Sequence, residues 1–416
     1  MNHSMDFSIE YEILGKSKKK KVVTTQLTAN NVLLEKYDIR GMKLGTVEVP
    51  FKSFVRNFGV ILARALHGAT SWTAGIKTAS GVSAASPVVM TATEGAITTI
   101  RSKSGIFVGD NNLNTVAAAS VGTTLSYIDG KNFIQSPGGR TTVGKSDYFL
   151  GRRIEANTTT ASSPSGIDYG ANSITILDNN RIQIKRRFFQ YRGVTPVKVA
   201  EFGLGTYLGS GGLQGTILLA RDTFSAAIEL GYEQYLDVTY SFTLPSSQEL
   251  NTNFISMLAN LFSNSNAYSV VLTSGAVSTA PGFHTAIDFK AAADAEYGIV
   301  VGYQDGKITA PYYNSYKLEN PTLNAVLDKG AVTFINEIDT YSDTTRFGFY
   351  RDFTNVAADQ VSVNEIGLYT KISATYCMIA RSTLPSNVSI DVGDVLRVKV
   401  YFNFPVASTV EPALET

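Results

Sequence analysis

One stretch of this chain occurs twice, and the repetition limits the folds open to it. Glu365-Ile366-Gly367-Leu368, Cys377-Met378-Ile379-Ala380-Arg381, Val388-Ser389-Ile390 and the run Val395 to Pro405 echo an earlier set. That set is Glu201-Phe202-Gly203-Leu204, Ile217-Leu218-Leu219-Ala220-Arg221, Ile228-Glu229-Leu230 and the run Tyr235 to Pro245. From Ile217 onward the offset is a constant 160 residues, as between Arg221 and Arg381. Between Glu201 and Glu365 it is 164, so the earlier copy holds four more residues in the loop after Leu204. Chance does not keep a register over such a length. The chain reads as a tandem duplication, and its fold must be one that forms twice in 416 residues.

Other landmarks keep the same order. Gly105-Ile106-Phe107-Val108-Gly109 matches Gly298-Ile299-Val300-Val301-Gly302, each a short apolar run bracketed by glycines. Asp147-Tyr148-Phe149-Leu150 resembles Ser315-Tyr316-Lys317-Leu318, and the change of offset puts about 25 surplus residues in Asp110 to Gly144 of the first copy. That surplus is the best candidate for a copy-specific functional loop. Ser173 to Leu177 and Ala331 to Ile335 read as strands, Asp178-Asn179-Asn180 as a turn. Arg187-Phe188 and Arg346-Phe347 then match, leading through Tyr191-Arg192 and Tyr350-Arg351.

A helix is predicted to open each copy. Pro50 suits a first helical position, and Phe51, Phe54, Val55, Phe58, Ile61, Leu62, Ala65 and Leu66 form an apolar stripe at helical spacing. In the second copy Ser246 or Ser247 is the expected cap, with Glu249 early and Leu250, Phe254, Met257, Leu258, Leu261 and Phe262 on the stripe. Packing on its own sheet is the ordinary use of such a stripe.

The expected fold is therefore mainly β: two tandem β-sandwich, jelly-roll-like domains, each preceded by an amphipathic helix. Residues 1–48 form an N-terminal hairpin and linker arm, 49–245 repeat 1, 246–406 repeat 2 and 407–416 a C-terminal tail. In the N-terminal region Asp6 to Leu14 alternates apolar and polar residues, and Val22 to Leu27 is a second strand candidate. Thr28 to Glu48 reads as linker. Between the two strands stand Lys16, Lys18, Lys19, Lys20 and Lys21. They are either a solvated hairpin tip or a basic finger for packaged DNA, lipid or an acidic protein face, and are the candidate partner contacts.

Composition removes several classes of chemistry. Net charge is +1 with 17% charged residues, which gives no reason to expect a nucleic-acid partner and favours protein partners. Cys377 is the only cysteine, so neither an intrachain disulfide nor a thiolate zinc cluster is expected, and its apolar setting suits a small buried hydrophobe. His3, His67 and His284 show no ligand spacing. There is no Gly-x-Ser-x-Gly elbow, and Gly209 to Gly215 lacks the Lys-Ser/Thr of a phosphate loop. Asp110-Asn111-Asn112 with Asn114 lacks the acidic ladder of a calcium loop and reads as a turn. No apolar run reaches membrane-spanning length, and the first residues lack a signal core, so neither membrane insertion nor signal-directed export is expected. No catalytic residue, cofactor or metal is expected, and the chain is read as a non-enzyme.

One polar pair is duplicated. Glu201 precedes Phe-Gly-Leu and Arg221 ends Leu-Leu-Ala-Arg, while Glu365 and Arg381 hold the same places in copy two. On neighbouring strands each pair would form a bidentate contact that fixes register, a structural role, with ligand binding as the alternative.

The string Val363 to Tyr369, then Met378 to Pro385, then Val388 to Val398 resembles the C-terminal signature of a group of virion structural proteins of tailed bacteriophages. Members pair E-I/V-G-L-Y with ARDxL and VxxGxxLxVxY, and carry an upstream GIxVG strand and an SFVRNF-like helix. Here these are Gly298 to Gly302 and Ser53-Phe54-Val55-Arg56-Asn57-Phe58. The resemblance covers both repeats but not residues 1–48, and it departs at Ser382, where Asp is usual and where copy one has Asp222. It implies an assembly module of the virion, in the neck, collar, tail or a head appendage, and a homo-oligomer in a ring or symmetric assembly with other virion proteins. A receptor-binding or glycan-binding appendage is the alternative, with Pro311-Tyr312-Tyr313-Asn314-Ser315-Tyr316 as its stacking cluster. A glycan hydrolase is a third.

Overall fold

A computed structural model describes residues 4–16, 20–29, 31–49, 51, 58–59, 62–63, 66, 105–109, 168–178, 180–190, 196–210, 213–243, 250–262, 268–279, 298–305, 314–321, 326–338, 345–372 and 375–403, some by backbone alone. The N-terminal region supplies β1 (Ser4–Ile13), β2 (Lys20–Ala29), β3 (Val32–Asp38) and β4 (Lys43–Val49). The first repeat supplies β5 (Gly105–Gly109), β6 (Asp168–Tyr169), β7 (Ser173–Leu177), β8 (Arg181–Gln190), β9 (Val197–Ser210), β10 (Leu213–Leu230) and β11 (Gln234–Thr243). The second supplies β12 (Ser269–Val271), β13 (Val277–Thr279), β14 (Gly298–Gly302), β15 (Leu327–Lys329), β16 (Thr333–Ile338), β17 (Thr345–Asn355), β18 (Val361–Ile372), β19 (Thr375–Ile390) and β20 (Val395–Asn403).

The protein is mainly β, as its alternating pattern predicts. In β8 Ile182, Ile184 and Phe188 point inward between partly exposed Gln183, Lys185 and Arg187, a period of two that suits a half-buried strand. Twelve of the described strands form one sheet in the order β15-β17-β20-β1-β2-β11-β3-β4, with β16 on β17 and with β8 joining β6 and β7 to β11. Two three-stranded sheets, β10-β9-β5 and β19-β18-β14, stand apart from it, as does the β12-β13 pair.

The two halves pair their strands alike. Gly105 lies opposite Gly205 and Gly109 opposite Glu201, as Gly298 lies opposite Tyr369 and Gly302 opposite Glu365. Arg221 lies opposite Gly203 as Arg381 does opposite Gly367, and both ladders slip at Leu219 or Ile379 and again before Ile228 or Val388. In the large sheet Asp237 faces Arg187 and Arg397 faces Asp352. That pairing corrects one sequence match. The counterpart of Arg187-Phe188 is Asp352-Phe353, not Arg346-Phe347, and that of Arg186 is Arg351.

Residues 28–48 are not a linker. β3 and β4 form a hairpin closed by Gly41 at φ 84° and by the Met42 amide donating to Asp38 Oδ1 at 2.8 Å. The segment escapes sequence patterning because β4 is exposed from Lys43 to Glu48, so only Val32, Leu34 and Val49 face the core. β1 pairs with β20, β3 pairs with β11, and the end of β2 also reaches β11 through Ala29 and Phe242. The N-terminal region thus gives a strand to each half, and Met5, Phe7 and Ile9 are fully buried there. Each such side chain contributes roughly 1.5–3 kcal/mol on burial.

The second-copy helix runs Thr252–Phe262, later than Ser246 or Ser247 would start it. Leu250 bridges to Ala380 and the Asn251 amide donates to the Ile379 carbonyl, so the chain is still extended there. Asn251 is the cap: its Oδ1 accepts from the amides of Asn253 (3.1 Å) and Phe254 (3.3 Å). All of Asn253 to Ala259 is buried, so this helix is enclosed on every side and does not present one stripe. Asn253 makes the enclosure tolerable by bonding the Val271 amide and the carbonyls of Val271 and Met378. Of the first-copy stripe, Phe58, Leu62 and Leu66 are helical and buried, Phe51 is buried and not helical, and Phe54, Val55, Ile61 and Ala65 lie outside the described residues.

The core is continuous between the sheets. Phe202 of β9 meets Tyr240 of β11 edge-on at 5.5 Å, and Phe254 of the helix stacks at 6.3 Å on Phe402 of β20, itself stacked at 5.1 Å on Phe347.

Candidate functional site

The duplicated Glu–Arg pairs lie inside the three-stranded sheets. Glu201 and Arg221 are on adjacent strands one step off direct opposition, and Arg221 donates to Glu201 Oε2 from Nε (3.1 Å) and Nη2 (2.8 Å). Arg381 does the same to Glu365 Oε2 at 3.3 and 3.1 Å. Both donors converge on one oxygen, so the contact is a clasp on a single carboxylate oxygen rather than the two-oxygen fork that the sequence suggested. All four side chains are buried.

Buried charges need every lone pair answered. In the second half the other Glu365 oxygen accepts from the Asn320 amide at 3.1 Å, and Gln304 Nε2 adds a bond at 3.1 Å to Oε2. Glycine makes room for this: a Cβ on Gly302 would stand 2.7 Å from Glu365 Oε1 and 2.9 Å from the Asn320 carbonyl. Likewise a Cβ on Gly367 would stand 2.6 Å from the Tyr369 ring, whose hydroxyl accepts from the Leu318 amide at 2.7 Å. The second glycine of the Gly298–Gly302 bracket thus marks close approach to a buried carboxylate.

A second pair of ion contacts was not read from the sequence. Arg187 donates to Asp237 from Nε to Oδ1 (2.6 Å) and from Nη2 to Oδ2 (2.8 Å). Arg397 donates to Asp352 in the same two-pronged way at 2.7 and 2.8 Å. The register makes these equivalent positions with the charges exchanged between strands. The stacking exchanges too: Arg187 lies 4.0 Å over Tyr235 of β11, Arg397 4.7 Å over Tyr350 of β17. Lys185 adds a second partner to the buried Asp237 carboxylate at 2.8 Å. Burial pushes that carboxyl up, but the hydrogen bonds and charges of Arg187 and Lys185 outweigh it and hold it below the ordinary Asp value. The hydrogen bond to Asp237 raises Arg187, and that to Asp352 raises Arg397. The signal was present: Asp237 and Arg397 fall in the constant-offset block with opposite charges.

The lysine candidates divide. Lys16 bonds Asp394 at 2.8 Å and Asp391 at 3.3 Å, the turn before β20. Lys20 and Lys21 belong to β2, opposite Tyr11 and Glu10, and are not at a hairpin tip. Lys18 and Lys19 lie outside the described residues, as do the Asp110–Gly144 surplus, Asp147 to Leu150, the three histidines, Tyr312, Tyr313 and the tail. Cys377 is buried, which pushes its thiol far above the ordinary range. Among the described residues no His, Cys, Asp and Glu group is placed to hold a metal, and no helix is long and apolar enough to cross a membrane.

The chain matches no protein-family model, no curated protein and no solved structure.

Proposed function

We propose that this protein is a non-enzymatic structural component of a tailed-phage virion, in the neck, collar, tail or a head appendage, acting through multivalent contacts with other virion proteins and copies of itself. Each half is a jelly-roll-like β-sandwich module, its three-stranded sheet packed against its share of the large sheet. The reading rests on the Glu365-Ile366-Gly367-Leu368-Tyr369 string, the ARDxL-like Ala380 to Leu384, the VxxGxxLxVxY-like Ile390 to Val400 in which Ile and Val stand at the first and last positions, and on what the buried polar residues do. Glu201, Arg221, Glu365, Arg381 and Arg351 each spend their bonds inside the fold, and Arg351 Nη1 donates to the Ile299 carbonyl at 3.0 Å to tie large sheet to small. Such groups stiffen a building block.

Antibody against the chain, applied to particles from cells that express it, should label one fixed location by electron microscopy. Particles that form normally and carry no label overturn the proposal. Turnover of host polysaccharide by the purified chain would replace it with the hydrolase reading.

A further inference from the structure

The β3–β4 hairpin differs from the rest of the surface. β4 ends the order of the large sheet and, among the described strands, pairs only with β3. Six of its seven residues are exposed. Ile39 (53%), Met42 (59%), Leu44 (46%) and Val47 (43%) put four large apolar side chains in water within nine residues. Tyr232, 49% exposed, stands in the turn before β11, whose Gln234 lies opposite Asp38. The other hairpin tip is finished differently, with Lys16 bonded to Asp391 and Asp394 of the turn before β20. Both hairpins carry an ion pair within the molecule, Lys16 to Asp391 and Asp394 in one and Lys43 to Glu35 in the other. The β3–β4 hairpin differs in the apolar side chains it also leaves in water, which in a folded chain mark an interaction surface.

We propose that β4 is a self-association edge that pairs antiparallel with β4 of a second copy about a twofold axis through Thr46. This rests on the proposed function only in that the chain assembles with itself. A partner strand must meet three features of β4: at one end Lys43, which also pairs with Glu35; at the other Glu48, which also accepts from Asn31; and a bulge at Leu44, where the ladder to β3 slips between Lys36 and Tyr37. The bulge and the charges turn away strands that do not match. β4 read backwards matches. With the axis at Thr46, Gly45 faces Val47 of the second copy and Thr46 faces Thr46. If the bulge is kept, Lys43 of each copy comes beside Glu48 of the other. Antiparallel pairing about an axis normal to the sheet keeps the core faces on one side, so the large sheets of both copies join into one.

A residue on a twofold axis meets itself, and that gives the test. The wild-type chain should be a dimer or a multiple of one by light scattering. Thr46→Lys and Thr46→Glu should each weaken association tenfold or more, since like charges then stand opposite. Mixed in equal amounts, the two variants should recover the wild-type size. Thr46 is exposed, so unchanged near-ultraviolet circular dichroism will show that each variant folds. A wild-type chain that stays monomeric overturns the edge, whatever the labelling of particles shows. Variants that associate as wild type, or a mixture that fails to recover, also overturn it, while leaving assembly through another surface intact.

Discussion

In the first half of the molecule the arginine of the outer ion pair sits on β8 and the carboxylate on β11; in the second the carboxylate sits on β17 and the arginine on β20. The inner pair makes no such exchange, with glutamate on β9 or β18 and arginine on β10 or β19 in both halves. The difference has a consequence for folding. A strand exchange setting β9 against β19 would still find glutamate beside arginine. One setting β8 against β20 would place Arg187 opposite Arg397, and its complement would place Asp352 opposite Asp237. Like charges directly opposite destabilise a ladder, more so where a carboxylate is buried as Asp237 is. The inner pair holds each half together without telling the halves apart, and the reversed pair supplies the distinction.

The largest loss is expected from Asp237→Arg, which faces a new cation with Arg187 and Lys185. The loss should exceed the roughly 3–5 kcal/mol of breaking a buried pair, read as a fall in the urea midpoint. Adding Arg187→Asp should recover most of it, since it sets opposite charges again across the same β8–β11 pair. That double variant gives both halves the same polarity, so its refolding yield should stay below wild type even where its midpoint returns. Equal yields would show that the reversal plays no part in pairing.

Next come Arg221→Ala and Arg381→Ala. Each strands a buried glutamate and should cost about 3–5 kcal/mol. With the same register around both, the two losses should agree within about 1 kcal/mol. Gly302→Ala comes third, since its Cβ must displace Glu365 or the Asn320 backbone, at about 1–3 kcal/mol.

Acid should act on the outer pair of the first half. The folded Asp237 carboxyl lies below its ordinary value, so its contribution is fully present above the unfolded value of about 3.9. It is lost as pH falls through the lower folded value. Asp237→Asn should therefore be less stable than wild type at pH 7 and approach it as the pH drops below about 4. A constant gap across that range would mean that the charge of Asp237 contributes nothing.

The duplicated block made the β class, the glycine-bracketed strands and the Glu–Arg pairs legible, because buried residues in paired strands are held to type and spacing. What stayed hidden has physical reasons. Arg187-Phe188 drew a false match to Arg346-Phe347 because its counterpart, Asp352-Phe353, had exchanged charge with its partner strand. β4 carries almost no buried residue, so its strand shows no alternation. The helix cap moved from the serines to Asn251 because Leu250 is held by the bridge to Ala380, a contact 130 residues away that no local pattern records.

The smallest expected effect concerns the two hairpin tips. Lys16 keeps 55% of its side chain in water, against 57% for Asp391 and 14% for Asp394, and an ammonium that exposed is screened by solvent and salt from both carboxylates. Lys16→Ala should leave the urea midpoint unchanged at about 0.15 M salt. It should also leave the light-scattering size unchanged, because its charge is directed at Asp391 and Asp394 of the turn before β20 in the same molecule. Ile39→Ser at the other tip should lower association without moving the midpoint, since that side chain is already half in water. The opposite pattern, with size falling for Lys16→Ala and not for Ile39→Ser, would transfer the partner contact to the basic hairpin and leave the apolar tip without a role.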